Sequence, residues 1–134
     1  ITDVPGASEV FVGGWVTYAN EAKVRELGVK EGTLQKYGAV SAAVAGEMAA
    51  GARKKAGADW AVSVTGVAGP GGGSPGKPVG LVYLGIAGAE GVETVEKKLV
   101  PDRKTFKGMA SQAALDLLRK KIQKGPHPFS KTEV

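Results

Sequence analysis

Between Thr65 and Gly80 the chain reads TGVAGPGGGSPGKPVG, with glycines and a lysine set where a phosphate cradle would need them. Gly71, Gly76 and Lys77 keep the spacing Gly-x-x-x-x-Gly-Lys. In that arrangement backbone N–H groups wrap the phosphates and the lysine reaches their outer oxygens. The chemistry breaks at the next residue. Pro78 stands where a serine or threonine hydroxyl would meet magnesium, and Leu81 to Ala87 reads as a strand where a helix should open. Gly-x-Gly-x-x-Gly spacings inside the same stretch fail for the same reason. Two readings of the loop remain, a long connection between strands or a ligand-facing wall. Glycine lets N–H groups approach a ligand, prolines limit the loop's freedom, and loops of this length without secondary structure usually carry function. Thr65 and Gly66, at a strand end, would offer a hydroxyl and an amide to a pocket.

Other chemistries are narrowed by composition. The 134 residues include no cysteine, which removes disulfides, thiolate zinc sites and a cysteine nucleophile. The one histidine, His127, sits between prolines in the tail and is given no role. Net charge is +5, and basic residues thicken after Lys97. Most lie on or beside one helix and read as a solvated face, so a nucleic-acid surface is not favoured. The same charge would attract a small phosphorylated ligand. No apolar run reaches the length of a membrane span and no signal peptide opens the chain, so a cytoplasmic location is expected.

The elements that must position these groups follow from pattern. Val4-Pro5-Gly6 marks a turn and Ala7-Ser8-Glu9 a short helix. Trp15-Val16-Thr17-Tyr18, β-branched and aromatic, reads as a strand. Asn20 reads as the N-cap of a helix that stops at Gly28, and Thr33 to Tyr37 as another helical turn. Ser41 caps a helix over Ala42 to Ala56, whose Ala45, Ala49, Ala52 and Ala56 suit close approach to a sheet or a second helix. Ala58 to Thr65 and Leu81 to Ala87 are strands, with Val92 to Leu99 a hairpin partner of the second. Asp102 or Thr105 opens a last helix to about Lys124, with Met109, Ala113, Leu117 and Leu118 buried. The expected fold is one α/β sandwich over residues 1–124, a mixed sheet flanked by helices, with a flexible tail over 125–134.

Two blocks then become recognisable. TDVPGASEVFVGGWVTYANEAKVRELGV and YGAVSAAVAGEMAAGARKKAGADWAVSVTGVAGPGGGSPGKPVGLVY, taken in order, closely resemble the CinA carboxy-terminal domain, also called the PncC family. The resemblance runs from Thr2 to about Lys121. It implies a nicotinamide-nucleotide amidase that converts nicotinamide mononucleotide and water to nicotinate mononucleotide and ammonia in bacterial pyridine-nucleotide salvage. It implies no metal and no organic cofactor. Family members carry a Glu-Ser-Cys-Thr-Gly-Gly segment shortly before the TDVPG block. Ile1 lies downstream of it, so the resemblance implies a longer parent protein with a further strand and helix.

Hydrolysing an amide without metal or cysteine calls for an activated hydroxyl, a base and donors for the oxyanion. The resemblance assigns the nucleophile to Ser8 and the general base to Lys23, with Tyr18 assisting by proton relay or positioning. It places Thr65, with Gly66 and Gly69 of the loop, against the substrate, and sets Arg103 where an arginine would take the nucleotide phosphate. Lys77 is a weaker candidate for that duty. Each residue also has a plainer reading: Ser8 as a helix cap, Lys23 as a solvated helix lysine, Tyr18 as strand packing, Thr65 as a strand-end hydroxyl, and Arg103 as a surface residue. Lys23 as base needs burial or nearby positive charge to lower its pKa. The expected partners are a small nucleotide substrate and a second copy of the chain, which the alanine-rich helix would suit. A non-catalytic nucleotide-binding or regulatory module, linked to competence or the DNA-damage response, is the alternative function.

Overall fold

Leu81–Gly88 is apolar along nearly its whole length because both of its faces are covered. It is the middle strand of a three-stranded sheet in the order β1-β2-β3. The strands are β1 (Ala61–Gly66), β2 (Leu81–Gly88) and β3 (Gly91–Lys98). The computed structural model describes residues 1–100 and 102–124, so the tail expected over 125–134 lies outside the described residues. Four α-helices accompany the sheet: α1 (Asn20–Leu27), α2 (Glu31–Tyr37), α3 (Ala42–Ala56) and α4 (Arg103–Lys124). The α/β class therefore holds.

The sheet is antiparallel throughout the described residues, not mixed. β1 and β2 are joined without a helical crossover, which a parallel pair requires, and β2 turns into β3 through Ala89–Glu90 with Gly88 paired to Gly91. Trp15–Tyr18 was the other strand expected within the sequence. That segment is not helical and pairs with no strand among the described residues.

One face of the sheet carries α3 and the other α4. On the α3 side, Val44, Met48 and Ala52 pack with Leu27 and Val29, backed by half-buried Trp15, Leu34 and Ala61. On the α4 side, Val82 and Leu84 pack against Phe106, Ala110 and Ala114. This corrects the expected register of α4. Met109 is 39% exposed, because the buried stripe runs Phe106, Ala110, Ala114, with Ala113 and Leu117 at its flank.

Small residues let α3 come to backbone contact on two sides. A Cβ on Gly85 of β2 would lie 2.3 Å from the Ala45 carbonyl oxygen, and one on Gly51 would lie 1.8 Å from that of Leu27. Ser41 caps α3 as expected, its Oγ accepting from Val44 N at 3.2 Å. Asn20 does not cap α1; Ala19 holds that position and Asn20 is the first helical residue. The start of α2 is closed from outside, since Glu47 of α3 accepts from Lys30 N–H at 3.0 Å and from Thr33 Oγ1 at 2.8 Å.

Candidate active site

The residues from Val10 to Tyr18 form an arm that runs alongside β1, and the two line an open cleft of about 820 Å³. Burial alternates along the arm's end: Trp15 is half-buried, Val16 is 95% exposed, Thr17 is buried and Tyr18 is 84% exposed. The strand expected over Trp15–Tyr18 is therefore absent among the described residues, and only its alternation of burial is seen.

Lys23 lies where the arm enters α1 and turns inward rather than to solvent. Its Nζ donates to the Thr17 carbonyl at 2.8 Å and to the Tyr18 carbonyl at 3.2 Å. Burial lowers the pKa of its amine below the ordinary lysine value of 10.5, because the charged form loses water. No carboxylate pairs with it among the described residues. A buried, unpaired amine of lowered pKa is the property a general base needs.

Thr65 sits near the end of β1 with its hydroxyl buried, donating to the Ala39 carbonyl at 2.8 Å. Two strand positions earlier, Ser63 donates to the Ala45 carbonyl at 2.6 Å, so alternate hydroxyls of β1 fasten the strand to the chain around the start of α3. Gly66 ends β1, where a Cβ would lie 2.8 Å from the Phe106 ring and 2.9 Å from the Leu81 carbonyl oxygen.

Tyr18, Lys23, Thr65 and Gly66 thus share one cleft, while Ser8, Gly69 and Arg103 lie outside its lining. Ser8 is exposed within a single 3-10 turn, Ala7–Glu9, which Gly6 and not Ser8 caps. No hydrogen bond joins Ser8 to Lys23 among the described residues. Arg103, in the first turn of α4, donates from Nη1 to the Gly69 carbonyl at 2.9 Å. The glycine loop beyond Gly66 does not line the cleft. It folds on itself through a tight turn in which Ser74 and Lys77 exchange backbone hydrogen bonds at 2.9 and 3.0 Å. Lys77 Nζ is occupied by the Tyr37 carbonyl.

Sequence reasoning missed Thr17, whose carbonyl receives the Lys23 amine. The alternation of Trp15 and Thr17 against Val16 and Tyr18 is the signal that places Thr17 inward. Among the described residues, no group of three or more His, Cys, Asp or Glu side chains is gathered closely enough to hold a metal ion. No described helix is long and apolar enough to cross a membrane.

The sequence matches the family described as the CinA C-terminal domain over residues 1–122. The chain belongs to the CinA C-terminal domain family. A CinA-like protein of Akkermansia muciniphila is 55% identical over 116 residues, which are 86% of this chain and 28% of that protein. A relative in Caldicellulosiruptor saccharolyticus with a competence-damage name is 57% identical over 122 residues, 91% of this chain and 30% of its own length. The chain spans about 30% of the length of the curated CinA relatives it matches. Among solved structures, the competence/damage inducible protein CihA from Agrobacterium tumefaciens superposes with a TM-score of 0.86 at 43% identity, covering 89% of this chain and 73% of that one. The competence damage-inducible protein A from Klebsiella pneumoniae gives 0.88 at 34% identity, covering 93% and 78%.

Proposed function

We propose that this CinA domain hydrolyses nicotinamide mononucleotide to nicotinate mononucleotide and ammonia, with Lys23 as the general base. The observation that carries the reading is the Lys23 amine, buried at the rim of the cleft, held by two carbonyls and free of any carboxylate among the described residues. Its neutral form takes a proton from the attacking hydroxyl and returns one to the leaving ammonia. The resemblance gives the attacking hydroxyl to Ser8, whose carboxyl ester with the nicotinoyl group is then cleaved by water. Tyr18, beside the Lys23 amine through its own carbonyl, and Thr65 support the substrate.

The test is ammonia release from nicotinamide mononucleotide by the wild type, Lys23→Met and Ser8→Ala, each checked for folding by circular dichroism. The expected result is turnover that falls by about 10²-fold or more in Lys23→Met. Turnover unchanged by Lys23→Met would overturn the assignment of the base.

A second reading is favoured by the position of Ser8, exposed and outside the cleft lining. Under it the domain binds a nucleotide without turning it over and serves a regulatory role. Nucleotide binding with no ammonia from the wild type would select this reading over the amidase.

A further inference from the structure

Three consecutive carbonyls between α2 and α3 each accept from a side chain of a different segment. Tyr37 takes the Lys77 amine of the glycine loop, Gly38 the Ser41 hydroxyl at 2.9 Å, and Ala39 the Thr65 hydroxyl of β1 at 2.8 Å. Ala39 and Thr65 line the cleft, whereas Lys77 does not. The junction therefore joins a loop outside the cleft to a hydroxyl inside it.

Lys77 is placed for this contact from both sides. Gly38 follows Tyr37 with φ 76°, and a Cβ there would lie 2.7 Å from the Lys77 Nζ. Glycine supplies both this backbone conformation and the space for the amine. On the loop side, the Ser74–Lys77 turn holds the lysine's own main chain. From Pro70 to Lys77, the amine makes the one hydrogen bond to another part of the chain among the described residues. No carboxylate pairs with it there. The half-buried amine is spent instead on the end of α2, where the last carbonyls lack helical partners and a cation is favoured.

We infer that Lys77 is a positioning residue for the cleft: by tying Tyr37 it holds the Ala39 carbonyl on the Thr65 hydroxyl, and so fixes the polarity that Thr65 presents to the substrate. The role rests on the amidase reading for its substrate and on the three-carbonyl junction for its mechanism. A carbonyl only accepts, so Thr65 spends its one hydroxyl proton on Ala39 and keeps lone pairs for any further partner. Such an oxygen matches a donor. The carboxamide N–H groups of an amide substrate donate, while the carboxylate of the acid product only accepts. With Ala39 held, Thr65 selects amide over acid. When the tie is lost, the junction relaxes, the hydroxyl turns freely, and that selection weakens.

Lys77→Met and Lys77→Arg are compared with the wild type in ammonia release from nicotinamide mononucleotide and in its inhibition by nicotinate mononucleotide. The carbonyl carbon shift of Ala39 is read by NMR in each. Lys77→Met is expected to raise KM by about tenfold with kcat changed far less, to let the acid compete better, and to move the Ala39 shift. Lys77→Arg, which keeps a cationic donor on a long stem, is expected to restore part of each effect. Lys77→Ala replaces Lys77→Met if the latter does not fold. An Ala39 shift unmoved in Lys77→Met overturns the proposal, as does a fall in kcat with KM and acid inhibition unchanged. If the wild type releases no ammonia, the amidase reading fails by itself. The Ala39 shift and the calorimetric affinities of the two nucleotides then decide the role of Lys77 on the same terms, and absence of any nucleotide binding overturns it.

Discussion

The Lys23 amine and the Thr17 carbonyl lie 2.8 Å apart, so the first turn of α1 is tied to the end of the arm by a buried charge-bearing group. With the second bond, to the Tyr18 carbonyl, it fixes the arm's exit into the helix, while burial lowers the amine's pKa.

A lysine whose folded pKa lies below its unfolded one binds fewer protons when folded, over the interval between the two values. Unfolding then takes up protons, and stability rises with pH across that interval. Lys23 is such a group, its pKa lowered by burial from 10.5. The stability of the wild type relative to Lys23→Met is expected to rise with pH on the alkaline side, up to the unfolded lysine value of 10.5. Urea denaturation at several pH values measures it. A difference that stays flat or falls would show that the amine is not desolvated.

The contacts of α3 with its neighbours admit no side chain at Gly51 or Gly85. Alanine at either position forces a Cβ onto a carbonyl oxygen, at 1.8 Å for Gly51 and 2.3 Å for Gly85. Each substitution is expected to destabilise by about 3 kcal/mol or more. Gly108, in α4 with nothing within 4 Å of its Cβ position, is the control, and Gly108→Ala is expected to stabilise by about 0.5–1 kcal/mol. Thermal melts of the three variants decide the matter.

Ser41 joins two elements through one hydroxyl, donating to the Gly38 carbonyl at 2.9 Å and accepting from Val44 N–H at 3.2 Å. Ser41→Ala is expected to cost about 1 kcal/mol, with faster amide exchange confined to the first turn of α3. Exchange that quickens across the whole helix would mean that the cap holds more than its own turn.

Arg103 reaches the glycine loop from α4, while Lys77 and Thr65 tie the loop and its leading strand to the Tyr37–Ala39 segment. Arg103→Ala is expected to raise amide exchange across Gly66–Gly80 by an order of magnitude or so, while leaving the melting temperature nearly unchanged, as suits an exposed residue. Arg103→Lys is expected to restore part of the protection. Unchanged exchange in Arg103→Ala would remove the arginine from the loop's support.

Much of the scaffold was legible because its signals are local. Ser41 caps α3 as the sequence pattern requires, and Gly28 ends α1. The stripe of α4 was misread because Met109 is apolar but lies off the face that meets the sheet. Trp15–Tyr18 shows the limit of periodicity: alternation specifies which side chains turn inward, but a ladder needs a second backbone, which no pattern within four residues can supply. For the candidate site, the burial of Lys23 was not readable from a helix containing Glu21, Arg25 and Glu26 as near neighbours, since those suggest a solvated surface. The tertiary path of the arm determines it.

α3 is gripped by main chain on both flanks, by Leu27 of α1 against Gly51 and by Gly85 of β2 against Ala45. Backbone meeting backbone leaves no compliant side chain to absorb a displacement. α3 therefore acts as a stiff strut. It sets the spacing between α1 and the sheet by main chain alone, at Leu27–Gly51 on one flank and Ala45–Gly85 on the other.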